Sequence, residues 1–207
     1  MNKIFSIVVG VLLTSVFTFH PTCAQSDSTS INLEGKIGLT FMVNSYFNLD
    51  AYEGDLISIK KMVDNEHAWR LGVSFSGSRN SNEVSDYSNS QYNTMATVSK
   101  MWYLLSDENI KPYYGIGLRV YYSHGWNNVP TNSTTSFSLS TGPLAYFGVE
   151  WLVSKRISFS AEYGAKIYYT NSYTRYDYNN SESSSHNFGF SEDDVRAGLT
   201  VYFSLPE

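Results

Sequence analysis

Residues 113–123 run Tyr113-Tyr114-Gly115-Ile116-Gly117-Leu118-Arg119-Val120-Tyr121-Tyr122-Ser123. On an extended chain, Tyr114, Ile116, Leu118, Val120 and Tyr122 fall on one side. Tyr113, Gly115, Gly117, Arg119, Tyr121 and Ser123 fall on the other. Successive side chains of a strand point to opposite faces, so this period of two predicts a β-strand with one apolar and one polar face. The alternation returns downstream. Ile157, Phe159, Ala161, Tyr163, Ala165, Ile167 and Tyr169 oppose Ser158, Ser160, Glu162, Gly164, Lys166 and Tyr168. Near the end, Val195, Ala197, Leu199, Val201 and Phe203 oppose Asp194, Arg196, Gly198, Thr200 and Tyr202.

Three more segments share the pattern: Ile37–Val43, Trp69–Ser76 and Phe147–Val153. Asp55–Val63 and Gln91–Leu105 are strand-like with less ordered faces, and in the first Lys61 falls in phase with Ile57 and Ile59. These make eight strands, and no stretch reads as an amphipathic helix. The composition agrees: 17 tyrosines, 12 phenylalanines, 5 prolines and only 16% charged residues suit a pleated, half-buried surface. A chain of 207 residues supports one domain with a sizeable core. Its net charge of −5, without any Lys/Arg run, argues against a nucleic-acid partner.

The connections point to an architecture. Short links at Asp64–His67, Asp107–Ile110 and Ser154–Arg156 alternate with polar, generally longer ones at Asn48–Tyr52, Arg79–Ser90, Asn127–Ser133 and Thr174–Gly189. An all-β meander with tight turns at one end and long loops at the other is the pattern of an eight-stranded, antiparallel, up-and-down transmembrane β-barrel. A soluble lipocalin-like barrel has the same period with its apolar face turned inward, so the direction of that face separates the two. Two features favour the outward direction. Charges of both signs share the polar face with Gly38, Gly72, Gly115, Gly117, Gly148, Gly164 and Gly198, as expected where long side chains converge in a narrow lumen. Tyr114, Tyr122, Trp69, Trp151 and Tyr169 sit toward strand ends on the apolar face, where their rings suit a bilayer interface. A Lys or Arg on a lipid face near the midplane costs roughly 2–4 kcal/mol, and the well-phased strands carry none there. The expected lumen network is Lys36, Arg70, Arg119, Glu150, Glu162, Lys166, Asp194 and Arg196, with the acids pairing with the bases so that the lumen is filled.

The first 24 residues are set apart. Lys3 precedes the uncharged, largely apolar run Ile4–Phe19, and His20-Pro21-Thr22-Cys23-Ala24 ends with small residues three and one before a cut. This is the three-part pattern of a secretory signal peptide cleaved after Ala24. At 16 residues the apolar run is short of the roughly 20 needed by a spanning helix. Cys23, the one cysteine, could instead be a lipidated residue, although His20-Pro21-Thr22 is unlike the Leu-small-small run that precedes such a site. Residues 25–30 form a short polar tail, and residues 31–204 form the barrel.

Over residues 31–204 the pattern resembles the small outer-membrane β-barrels of the OmpA/OmpX or porin-like type. The most specific signal is the last strand, where Arg196-Ala197-Gly198-Leu199-Thr200-Val201-Tyr202-Phe203 is similar to the terminal insertion signal of such proteins, matching at Arg196, Gly198, Val201 and Phe203. The tail Ser204-Leu205-Pro206-Glu207 departs from relatives that stop at the aromatic residue. The resemblance implies export to the cell outer membrane, contact with outer-membrane lipid and lipopolysaccharide, and recognition by the barrel-assembly machinery. Asp27-Ser28-Thr29 resembles an O-glycosylation acceptor of some Bacteroidota, which would place the source there.

No catalytic, cofactor or metal site is expected. His20, His67, His124 and His186 have no metal-ligand spacing. Asp177, Glu182, Glu192, Asp193 and Asp194 lack an ordered ligand series. The lipid A deacylase barrels place His and Ser two apart on one lipid-facing surface, whereas His124 has Tyr122 and Trp126 there. The leading expectation is a structural or surface-interaction role, with Tyr87, Tyr173, Tyr176 and Tyr178 of the long loops as contacts for a surface ligand. A narrow or gated pore for small solutes is the runner-up, ahead of a lipid-modifying enzyme and a soluble binder.

Overall fold

The computed structural model describes residues 31–44, 56–82, 87–104, 109–129, 132–177, 180–192 and 195–204. Nine antiparallel strands occur among them: β1 (Ile37–Asn44), β2 (Leu56–Met62), β3 (His67–Asn82), β4 (Tyr87–Tyr103), β5 (Ile110–Val129), β6 (Asn132–Leu152), β7 (Ile157–Tyr176), β8 (Ser181–Glu192) and β9 (Arg196–Phe203). Each strand from β1 to β7 pairs with the next, and β1 closes the ring on β9. β7 pairs with β9 along its first part and with β8 along the rest. β8 and β9 are therefore two halves of one stave, and the barrel has eight staves, as the sequence pattern predicts. Glu192 lies opposite Ala165 and Arg196 opposite Glu162. The register is thus shifted by one residue between the β8 and β9 pairings, so that the inward phase changes from odd-numbered to even-numbered positions along the stave.

The polar segments Arg79–Ser90, Asn127–Ser133 and Thr174–Gly189 are not long loops. Most of their residues continue the hairpins: Arg79 pairs with Ser90, Asn128 with Ser133 and Thr174 with Ser183. The reason is physical. A strand solvated on both faces loses its hydrophobic alternation, the signal read from sequence, and keeps its backbone ladder. Strands β5, β6 and β7 accordingly reach 20, 21 and 20 residues. Asn180, just before β8, has φ 51°, a left-handed conformation that asparagine tolerates. Asn48–Tyr52 falls outside the described residues.

At the opposite end the links are tied by side chains. Asp64 Oδ1 accepts from the backbone N–H of Glu66 and of His67, both at 2.7 Å. Ser154 Oγ accepts from Arg156 N–H at 3.2 Å and Ile157 N–H at 3.1 Å. Such Asx- and Ser-turns set the chain for its return without a long loop.

The faces are inside-out relative to a soluble protein. Ile116 and Leu118 are 55% and 59% exposed, whereas Lys60, Lys111 and Glu150 are 3%, 0% and 1% exposed. This excludes the lipocalin-like arrangement. The pairing also assigns the two strands whose faces the sequence left unordered. In β2, Ser58, Lys60 and Met62 turn inward and Ile57, Ile59 and Lys61 outward. In β4, Met95, Ser99, Met101 and Tyr103 turn inward, and Tyr92, Val98, Lys100 and Trp102 outward. Lys61 and Lys100 are thus outward cations, both near the tight-turn end, and Lys100 Nζ lies 5.0 Å from the Trp102 ring centre.

Close strand approach explains where glycine is needed. A Cβ on Gly142 would run into the Ile167 carbonyl oxygen, and one on Gly117 into that of Val98. Backbone cannot yield as a side chain can, so Gly142→Ala should lower stability by about 1–3 kcal/mol. Gly77→Ala meets nothing closer than 3.3 Å and should be near neutral. Urea unfolding of the refolded barrel, followed by the loss of its compact gel band, checks the contrast.

Candidate functional site

The lumen is built in layers from the tight-turn end upward. Its floor is apolar. Before β1, Lys36 N–H bonds to the Leu33 carbonyl at 3.0 Å across a turn that uses Gly35 at φ 70°. That turn tucks Leu33, fully buried, under the barrel, where it packs with Met62, Ala68, Met101 and Leu152. Asn65 of the β2–β3 turn holds it by accepting from the Leu33 N–H at 3.0 Å.

Above the floor lies Glu150. Lys60 Nζ is 2.8 Å from both of its oxygens. The hydroxyls of Tyr103 and Tyr202 each donate to it at 2.7 Å, and Ser158 Oγ also donates. Lys111, wholly buried, is the residue directly opposite Glu150 in the β5–β6 register. A carboxylate out of water is costly unless its lone pairs are filled, and here they are filled from four strands.

The next layer centres on Glu162. Arg70 grips it with Nη1 at 2.7 Å from Oε2 and Nη2 at 3.3 Å from Oε1, a two-point pairing. Tyr113 donates to Oε2 at 3.1 Å, and Arg196 Nη1 stands 4.0 Å from Oε1. The Arg70 guanidinium also lies 4.2 Å over the Tyr146 ring, whose hydroxyl is 2.7 Å from Ser99 Oγ. Higher still, Met42, Met95 and Tyr121 pack together. Beyond them the wall is lined by uncharged Ser76, Gln91, Asn93 and Ser123, which bond to one another.

Of the expected network, Arg70, Glu150, Glu162 and Arg196 stand in these layers, and Arg119 and Lys166 take inward positions above them. Lys36 does not join them. It precedes β1, and its Nζ donates to the Lys155 carbonyl at 3.1 Å on the exposed rim. Asp194 is outside the described residues. Lys60 and Lys111 are outside the expected network: Lys60 lies within Asp55–Val63, whose faces the sequence leaves unordered, and Lys111 continues the inward phase one step before Tyr113. Four tyrosines also join the network: Tyr113 and Tyr202 fall on the polar face in the sequence pattern, but periodicity does not mark them, or Tyr103 and Tyr146, as partners of the buried charges.

Among the loop tyrosines, Tyr87 begins β4 opposite Asn82. Tyr173 packs on Phe137 with ring centres 5.0 Å apart. Tyr176 ends β7 and is 37% exposed, and Tyr178 is outside the described residues. Arg196 and Gly198 face inward, whereas Leu199, Val201 and Phe203 face outward. His124 faces outward against Trp126, with Tyr92 and Phe137 opposite it on the neighbouring strands. Among the described residues, no three His, Cys, Asp or Glu gather where they could hold a metal ion.

The chain matches no protein-family model and shows no significant similarity to a curated protein. Solved structures do resemble it. A major outer membrane protein from Thermus thermophilus superposes with a TM-score of 0.56 at 14% identity, covering 81% of this chain and 98% of that one. The outer membrane protein OprG from Pseudomonas aeruginosa gives 0.55 at 10% identity, covering 83% and 97%. At these identities the likeness is one of fold: the chain has the fold of small outer-membrane β-barrels.

The buried pairs give a direct test. Lys60→Met leaves Glu150 buried without its cation and should cost about 3–5 kcal/mol. Lys60→Met combined with Glu150→Leu should recover only part of that loss, because the buried hydroxyls of Tyr103, Tyr202 and Ser158 lose their acceptor; urea unfolding of the refolded protein measures both.

Proposed function

We propose that this protein is a closed barrel of the bacterial outer membrane whose lumen is packed shut and whose long hairpins form an interaction surface outside the cell. The observation that carries this reading is the inside-out distribution of polarity, with Glu150 and Lys60 buried and Ile116, Leu118 and Leu71 exposed. An apolar surface encircling the whole ring is far larger than the patches a soluble monomer exposes. In a bilayer the same surface is satisfied by lipid.

The outward side chains fit such a placement. From Tyr114 to Trp126 along β5, a rise of ~3.3 Å per residue at a tilt of ~40° spans about 30 Å, close to a barrel's apolar band with its aromatic girdles. Trp69, Trp102 and Trp151, with Lys61 and Lys100, mark the girdle at the tight-turn end, where a lysine reaches the headgroups along its own stem. Tyr122, Trp126 and Tyr169 mark the other. Beyond that girdle the paired strands are rich in Ser, Asn, Thr and Tyr. They would stand clear of the membrane, past the lipopolysaccharide leaflet, with Tyr173 and Tyr176 among the residues open to a surface ligand. Export through cleavage after Ala24, and reading of Arg196, Gly198, Val201 and Phe203 by the barrel-assembly machinery, belong to the same reading.

Leu33, Met62, Lys60, Glu150, Arg70 and Glu162 are all buried across the lower barrel, and this packing supports a structural or surface role over a pore. The full protein refolded in lipid should shift its mobility on a gel when heated, as a closed barrel does. In planar bilayers it should give no steps of porin size. Sustained porin-size conductance would overturn the closed lumen and leave the pore reading in its place.

A further inference from the structure

We infer that the groove at the foot of β9 binds one anionic glycerophospholipid, its phosphate among Lys36, Lys155 and Arg156 and its acyl chains against Val201 and Phe203. The inference rests on the outer-membrane reading above and adds to it a preferred lipid of the inner leaflet. The local fold builds the site. β9 ends between β1 and β7, with Ile37 opposite Phe203 on one side and Ile157 opposite Val201 on the other. Lys36 immediately precedes Ile37, and Lys155-Arg156 immediately precedes Ile157, so cations flank the strand end on both sides. Their backbone is fixed. Ser154 Oγ accepts from the N–H of Arg156 and of Ile157, and the Arg156 carbonyl accepts from Tyr202 N–H at 2.7 Å. Lys36 Nζ reaches across the foot of β9 to the Lys155 carbonyl at 3.1 Å. That bond uses one of the ammonium's three donors and neutralises no charge.

Three like charges held this way repel one another. Among the described residues no carboxylate lines the groove, and none of the three cations forms an ion pair. Glu34, Asp64 and Glu66 share this end of the barrel but stand outside the groove wall, and Asp64 is engaged by His67 at 2.9 Å. Burial, and after it the charges of Lys155 and Arg156, hold the Lys36 ammonium below its ordinary pKa. An anion among the three relieves that repulsion.

The apolar half of the groove decides between a lipid and a soluble anion. Val201 and Phe203 line it and lie on the outward phase of β9, with Phe203 53% exposed. Outward Ile157 and Leu199 continue that surface up the wall. Free phosphate or an acidic peptide leaves these side chains uncovered, whereas an acyl chain covers them. Depth agrees. Trp151 stands in the girdle at this end, and Lys155 and Arg156 lie in the turn just past the end of β6 at Leu152, level with the headgroups. The groove has a volume of about 590 Å³, within the range of small-molecule sites. A headgroup with its own ammonium would add a fourth cation, so a lipid of net negative charge fits better than a zwitterion.

The test is native mass spectrometry of the full protein refolded in micelles that contain equal amounts of phosphatidylglycerol and phosphatidylcholine. One phosphatidylglycerol should be retained per barrel in preference to phosphatidylcholine. Lys155→Gln and Arg156→Gln should each reduce that preference about fivefold. Lys100→Gln, at the same end but on β4, should leave it unchanged, and all three variants should keep heat-modifiable gel mobility. Equal retention of the two lipids by a heat-modifiable barrel overturns the site and leaves the barrel reading standing. An equal loss in all three variants means a diffuse surface charge and also overturns it. So does a preference that appears only in Glu207→Gln, because the chain's own carboxylate then fills the groove. A chain that never becomes heat-modifiable overturns both the site and the reading beneath it.

Discussion

The structure depends on one constraint: an eight-stave ring with an apolar exterior must turn the polar side chains of its central band inside. Glu150 shows how this is met. Its carboxylate is reached by Lys60 from β2, Tyr103 from β4, Ser158 from β7 and Tyr202 from β9. One acid therefore ties together staves that are distant in sequence and across the ring. Replacing such a cluster by hydrocarbon is often neutral for stability, so its contribution is better understood as fixing which staves meet and at what height. Arg70 and Glu162 repeat the device one layer up, between β3 and β7. Inward glycines make the room: Gly115 lies under the Tyr146 ring and Gly148 under the Tyr113 ring, each where a Cβ would strike the phenol.

The register shift in the eighth stave serves the same end. One extra residue between Glu192 and Arg196 shifts the phase of β9 relative to β8. Below it, Arg196, Gly198, Thr200 and Tyr202 all point inward, and Thr200 meets Thr40 at 2.8 Å across the closing seam. Above it, Phe188 and Phe190 remain outward, with Ser191 opposite inward Lys166. The shift lets one stave serve both a charged lumen and an uncharged upper wall.

Much of this was legible in the sequence because a barrel writes its two faces as a period of two. The alternation around Leu118, Phe159 and Leu199 set the strands, their direction and the outward stripe. Legibility failed where the physics no longer requires alternation. The segments 79–90 and 174–189 look like loops because water bathes both faces of their hairpins, yet their ladders run almost to the tips. Lys60 sits in a segment where Lys61 follows in phase with Ile57 and Ile59 and blurs the faces, and Lys111 lies at a strand end beyond the clear alternation. Pairing across the ring was beyond reach altogether, since Glu150 meets Lys60 over 90 residues and no periodicity encodes that choice.

The central claim is that the apolar stripe meets lipid and the charged face meets itself. Spin labels on single cysteines, in a Cys23→Ser background refolded into bilayers, test it most directly. Labels at Ile116, Leu118 and Val120 should be relaxed strongly by dissolved oxygen and weakly by a water-soluble nickel chelate, while labels at Thr97 and Ser99 should be reached poorly by both. Labels at Leu118 and Val120 that the nickel chelate relaxes freely, or that neither reagent reaches, would contradict the account.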